Sequence, residues 1–268
     1  MRTYQYKLFV LAYSLLAVLV GSTVLFLITL NSREDTFIAE IKRVAPKPVT
    51  NDAALEEALL ILSPLTFVSH PETKEYINKI FVTLCSFDAD TSSHEFRFVI
   101  IDNTKHPGIE TGVNPYGMVR IGSDDLIRAK SEAEIAGIIA HEMGHIVLQH
   151  TGQRIARQAY INDKLQNGKF SFLDSLAFQN AVTTLMVESE IVPQVEADEF
   201  ALLRLNAAGY AARDFAVFLE SFPDLHRAKI FLKNMHFKKK SGNSFKCKTA
   251  DDFKKWKISL GKAFEDPK

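Results

Sequence analysis

The stretch "IIAHEMGHIVLQH", residues 138 to 150, sets two histidines four residues apart and places a glutamate directly after the first. On a helix, residues i and i+4 share a face with Cβ atoms about 5–6 Å apart. His141 and His145 can therefore each direct a ring nitrogen at one zinc ion, at about 2.0–2.1 Å. Glu142 is turned aside from that point but stays within reach of a water beside it. That is the place of a general base, which takes a proton from water and later delivers it to a leaving amine. Zinc polarises a scissile carbonyl and makes water more acidic, so the spacing predicts a zinc hydrolase. A histidine pair and a glutamate inside an apolar helix also need polar partners, which a chance match does not supply. His150 lies five residues past His145, about 140° round the same helix, and is expected at the surface or the helix end, away from the metal.

The element carrying these residues has a clear start. "SEAE" sets Ser131 three residues before Glu134 as a capping box, and Ile135, Ile138, Ile139, Ile146 and Val147 continue at helical spacing. Thr151 and Gly152 are the expected breakers. Zinc still needs a third protein ligand, expected on a second helix, and "VPQVEADEFALLRLNAAGY" (192 to 210) has that form. Pro193 suits its first turn and Gly209 its C-terminal cap. Helical patterning also covers 52–62 and 72–84. "FRFVIID" (96 to 102) reads as a strand and "GMVRIG" as a second one ending near Ile121.

From Leu8 to Leu30 the chain is uncharged over 23 residues, enough to cross a hydrocarbon core of about 30 Å. This predicts a single transmembrane helix over 8–30 after a short tail (1–7), with a linker over 31–53 that carries two prolines. The run lacks an A-x-A motif and is long for the core of a cleavable signal peptide. A signal anchor with the body outside the cytoplasm is the preferred topology. Lys+Arg and Asp+Glu are both 32, and nothing in that balance points to nucleic acid. Cys85 and Cys247 fit no metal or redox spacing.

HEMGH followed some fifty residues later by "EADEFA" resembles the M48 family of zinc metallopeptidases, over roughly residues 70 to 235, including "GVNPYGMVRIGSDDLI". The resemblance implies an α+β fold: a mainly helical zincin-like domain (54–235) with a small sheet. It also implies that Met118 to Ile121 form an edge strand able to pair with an extended substrate. The family's second motif, E-x-x-A-D, supplies a zinc-ligating glutamate and an aspartate that supports a zinc-bound histidine. Here it reads Gln194, Val195, Glu196, Ala197, Asp198. Asp198 matches the supporting position, and Gln194 stands where the ligand belongs, offering a neutral oxygen in place of a carboxylate. Glu196 points about 160° away from the face that Gln194 and Asp198 share. The H-P motif that relatives often carry after this helix is changed here to Phe222 and Pro223, with His226 one turn on.

From Lys229 to Lys268 there are twelve lysines against four acidic residues. This basic end (236–268) sets Phe253, Trp256, Leu260 and Phe264 on one helical stripe. The stripe either packs on the domain or lies on an anionic membrane surface. Together these features imply a membrane-anchored zinc endopeptidase, with His141, His145 and Gln194 on the metal, Glu142 as base and Asp198 behind. Its expected substrates are unfolded or membrane-associated polypeptides. The alternative is a catalytically silent relative that binds polypeptides, because of Gln194.

Overall fold

The computed structural model describes residues 2–46, 65, 70–86, 96–114, 117–220 and 250–265. The expected helical patterning over 52–62 lies outside them. The chain divides into two compact units, residues 1–45 with 154–189 and residues 46–153 with 190–268.

The first unit begins with helix α1 (Arg2–Lys42). Among the described residues this is the one helix long and apolar enough to cross a membrane. The hydroxyls of Ser22, Thr23 and Thr29 donate to carbonyls of the preceding turn, at 2.9, 2.8 and 2.8 Å, which satisfies them without water. The helix does not stop where the apolar run stops. It continues to Lys42 through residues assigned above to a linker, and the correction has a packing cause. No Gly or Pro interrupts residues 31–42, and Phe37, Ile38 and Ile41 recur on one face. That face meets Ile161, Phe178 and Leu185, which come from helices α5 (His150–Asn167) and α6 (Phe172–Ala208). The Phe37 ring sits edge-on to Phe170 and Phe178 at 5.8 and 5.3 Å. Between α5 and α6, a Cβ on Gly168 would lie 2.3 Å from the Lys164 carbonyl oxygen, so the turn requires glycine.

The second unit holds a three-stranded sheet, β1 (Arg97–Ile101), β2 (Gly112–Val113) and β3 (Met118–Gly122), in the order β1-β3-β2. β3 pairs parallel with β1 (Phe98 opposite Val119) and antiparallel with β2 (Val113 opposite Val119). Met118 to Ile121 are therefore the middle of the sheet, not its edge. The reason is the hairpin from β2: Asn114 N–H donates to the Met118 carbonyl at 3.1 Å, and Asn114 Oδ1 accepts from Met118 N–H at 3.0 Å. Gly117 takes the left-handed φ of 79° in that turn.

Helices α2 (Pro71–Cys85), α3 (Ser123–Arg128), α4 (Glu132–Val147), α7 (Ala212–Leu219) and α8 (Ala250–Glu265) complete this unit. Its core joins Ile77, Ile80, Val119, Ile135, Ile139, Leu205 and Phe215. A Cβ on Gly137 of α4 would fall 2.2 Å from the Phe215 ring, which shows how closely α4 and α7 approach. The C-terminal stripe is part of the same core: Phe253, Trp256 and Leu260 are buried in it. Trp256 stacks on Tyr76 at 4.6 Å and donates through Nε1 to Thr73 Oγ1 at 3.1 Å. Of the two placements for the stripe, these three side chains take the packed one.

Candidate active site

Ser131 begins α4 as anticipated, its Oγ accepting from Glu134 N–H at 3.3 Å. The returning arm of the capping box differs by one residue, because Glu134 Oε2 accepts from Lys130 N–H at 2.7 Å. Burial raises the Glu134 pKa above the usual carboxylate value; the Lys130 N–H counters this only in part, and the negative charge of Asp214 adds to the rise. Every residue from Glu132 to Gly144 is buried. Glu132 keeps its place among them by accepting from the hydroxyls of Tyr76 and Tyr210. His141 thus sits on a buried stretch of helix, with His145 just past the end of that stretch.

His141 and His145 meet through their Nε2 atoms, 3.0 Å apart. Behind His141, Nδ1 contacts Asp198 Oδ1 at 2.9 Å, and these side chains are only 8% and 4% exposed. The contact depends on small residues in both motifs. A Cβ on Gly144 would come within 3.1 Å of Ala197 Cα and 3.2 Å of Phe200 Cβ. Glycine in HEMGH and alanine in EAD therefore let α4 and α6 lie close enough for Asp198 to reach His141. Glu142 is buried beside the pair. Gln194 is half-buried on α6, one turn before Asp198.

Two expectations about the helices carrying the site are corrected. Pro193 does not start a helix; α6 runs through it from Phe172 to Ala208. A proline inside a helix forfeits one hydrogen bond, but good helical pattern on both sides carries the helix across. Glu190, three residues before Pro193, therefore belongs to the same helix. The C-terminal end is as anticipated: Gly209 adopts φ 79°, and Tyr210 N–H donates to the Leu205 carbonyl at 2.9 Å, the Schellman closure of a helix.

The second correction concerns His150. α4 ends at Val147 with Leu148 as its C-cap, and Gln149 takes φ 56°, the left-handed region. Thr151 and Gly152 are not breakers but sit inside α5. This corner returns His150 to the site, where it is buried. Its Nδ1 lies 3.0 Å from His145 Nδ1, and its Nε2 lies 2.9 Å from Glu196 Oε2. Sequence reasoning missed this pair because residue 149 is neither glycine nor asparagine, the usual signals of a left-handed turn. Phe222, Pro223 and His226 lie outside the described residues.

The donor set suits a zinc ion. A bound ring nitrogen offers a lone pair, and Asp198, which only accepts, fixes the proton of His141 on Nδ1 and makes Nε2 the acceptor nitrogen. Two nitrogens on one tetrahedral zinc at about 2.0–2.1 Å stand roughly 3.3 Å apart, within a few tenths of the separation found. Among the described residues no group of three His, Cys, Asp or Glu is arranged to hold a metal. A third protein donor from the E-x-x-A-D position would be the amide oxygen of Gln194.

A mainly helical domain with a small sheet, built round a histidine pair on a buried helix, defines a metallopeptidase class. The particular family follows from comparison: residues 71–239 match the model of Peptidase family M48, and the chain belongs to that family. Its peptidases are typically zinc-dependent. No curated protein matches the chain.

Proposed function

We propose that the chain is a membrane-anchored zinc endopeptidase acting on unfolded or membrane-associated polypeptides. The observation that carries this reading is the facing Nε2 pair of His141 and His145, with Asp198 behind one ring and Glu142 beside it. A bound zinc ion supplies Lewis acidity toward the scissile carbonyl and toward water. The chain's residues do the rest. His141 and His145 hold the ion through Nε2, and Gln194 adds its amide oxygen. Asp198 keeps the His141 ring turned inward by accepting from Nδ1–H. Glu142 takes a proton from water on its carboxylate and passes it to the departing amine nitrogen. Residues 8–30 are the tether, and the catalytic body lies on the extracytoplasmic side.

A second reading, a silent relative that binds polypeptides, is favoured by one residue, Gln194, at the position where the family places a charged ligand. One experiment separates the two. The full-length chain in detergent is assayed for zinc content and for hydrolysis of unfolded casein, alongside Glu142→Gln. The peptidase reading expects about one zinc in both proteins and a loss of hydrolysis by about 10²–10⁴-fold in the variant. Zinc and casein binding with no hydrolysis in the wild type selects the second reading. Hydrolysis equal in both proteins removes Glu142 from the mechanism.

A further inference from the structure

We propose that His150 and Glu196 form a positioning pair for His145, so that both facing imidazoles are backed by a carboxylate. His141 is backed directly by Asp198, and His145 through a second imidazole. The inference rests on the zinc reading above and assigns to that site two residues outside its motifs' ligand positions.

Two carboxylates fix the donors and acceptors between them. Glu196 Oε2 only accepts, so His150 Nε2, 2.9 Å away, carries a proton. In a neutral ring the other nitrogen is then an acceptor. His150 Nδ1 stands 3.0 Å from His145 Nδ1, so His145 donates from Nδ1 and its Nε2 is left with a lone pair. From the opposite end, Asp198 takes the proton of His141 Nδ1 at 2.9 Å, and His141 Nε2 is an acceptor nitrogen as well. The tautomers follow from bonding partners, and each of these three contacts then has one donor and one acceptor. The two Nε2 atoms that meet at 3.0 Å are then both acceptor nitrogens, the form in which a neutral imidazole ligates zinc.

The backbone supports the same assignment. On an uninterrupted helix His150 would point away from His145; the left-handed Gln149 brings it round. The His150 side chain is 6% exposed, whereas that of Glu196 is 54% exposed. A buried ring thus carries the influence of a solvent-side carboxylate to the metal-facing pair. Partners behind a ligating histidine fix its ring orientation and raise its basicity, and losing them typically lowers metal affinity about 10–100-fold. With a neutral amide at position 194, such backing matters more, because the nearest ring of donors brings no negative charge.

The test uses the full-length chain in detergent, with zinc affinity measured by chelator competition and thermal unfolding followed in parallel. His150→Ala is expected to weaken zinc binding about 10–100-fold. His150→Asn restores an acceptor for the His145 Nδ1 proton and should recover most of that loss. Glu196→Ala, at an exposed position, should weaken binding in the same direction and keeps the test alive if His150→Ala does not fold. A merely structural tie would lower the unfolding temperature of His150→Ala and leave its zinc affinity at the wild-type value, and that result overturns the proposal. Nitrogen-correlated NMR of the metal-free protein provides the second readout. His145 should be protonated at Nδ1 in the wild type, and should lose that fixed tautomer in His150→Ala. A wild type that keeps the tautomer but binds no zinc would remove the zinc reading and leave the ring pairing standing. Equal zinc affinity in wild type and His150→Ala would do the reverse.

Discussion

Behind α4, one polar pair meets withdrawn from water: His141 and Asp198 are 8% and 4% exposed. Along α1, Lys42 and Glu188 meet at 2.7 Å with side chains 46% and 43% exposed. The same kind of contact has different consequences in the two units. A buried polar pair has no water to fall back on, so breaking it leaves an unsatisfied group, and the geometry it fixes is the geometry the site keeps. An exposed ion pair exchanges water for a partner at little net gain. What holds the first unit is its ring cluster, Phe37, Phe170 and Phe178. Charge therefore sets geometry in the second unit and only decorates packing in the first.

The strongest way to break this comparison is Phe178→Ala. Removing a fully buried ring should cost the first unit about 3–5 kcal/mol, seen as faster hydrogen exchange over residues 154–189. Zinc affinity should stay near the wild-type value, and a parallel fall would mean that the two units do not separate as described. Next in size is Gln194→Glu, which adds a charged oxygen donor and should raise zinc affinity about 10–100-fold, read by the same chelator competition. No change there would place the third donor elsewhere.

A third test concerns pH. Burial raises the pKa of Asp102, but the Thr104 hydroxyl, Lys105 and the Thr104 N–H outweigh it, holding the carboxyl below its ordinary value. A depressed folded pKa contributes stability that is present at neutral pH and is lost as pH falls through it. The wild type should therefore lose more stability than Asp102→Asn on acidification from about pH 5 downward, measured by denaturant titration at successive pH values. Equal slopes would show that the carboxylate contributes nothing. Smallest is Lys42→Ala, expected to cost under about 1 kcal/mol by the same exchange measurement; a larger loss would give exposed charge a share in holding the first unit.

Regular elements were legible where pattern and punctuation agree. α4 was announced by Ser131 and its apolar spacing, β1 and β3 by their β-branched runs, and the end of α6 by Gly209. The approach of HEMGH to the EAD motif was legible through resemblance, and Gly144 with Ala197 supplies its physical reason. What stayed hidden was tertiary. Gln149 turns left-handed without the residue that normally announces it, so His150 was assigned to the wrong side of the helix. Pro193 looked like a boundary because local chemistry says so, while packing along α6 overrides it. The edge position for β3 was implied by the resemblance, and it is filled by β2, which at two residues long is too short to show as a strand in sequence. The stripe of α8 was visible as a stripe, but nothing local said which surface it would cover.

That last helix has a consequence for where this protein begins and ends as a heritable unit. The stretch by which its ancestry is recognised closes at residue 239, yet Phe253, Trp256 and Leu260 fill the interior from beyond it. A gene cut at the limit of recognition would keep every motif and lose the plug. Ancestry and self-sufficiency thus have different borders in this chain, and domain shuffling would have to respect the wider one.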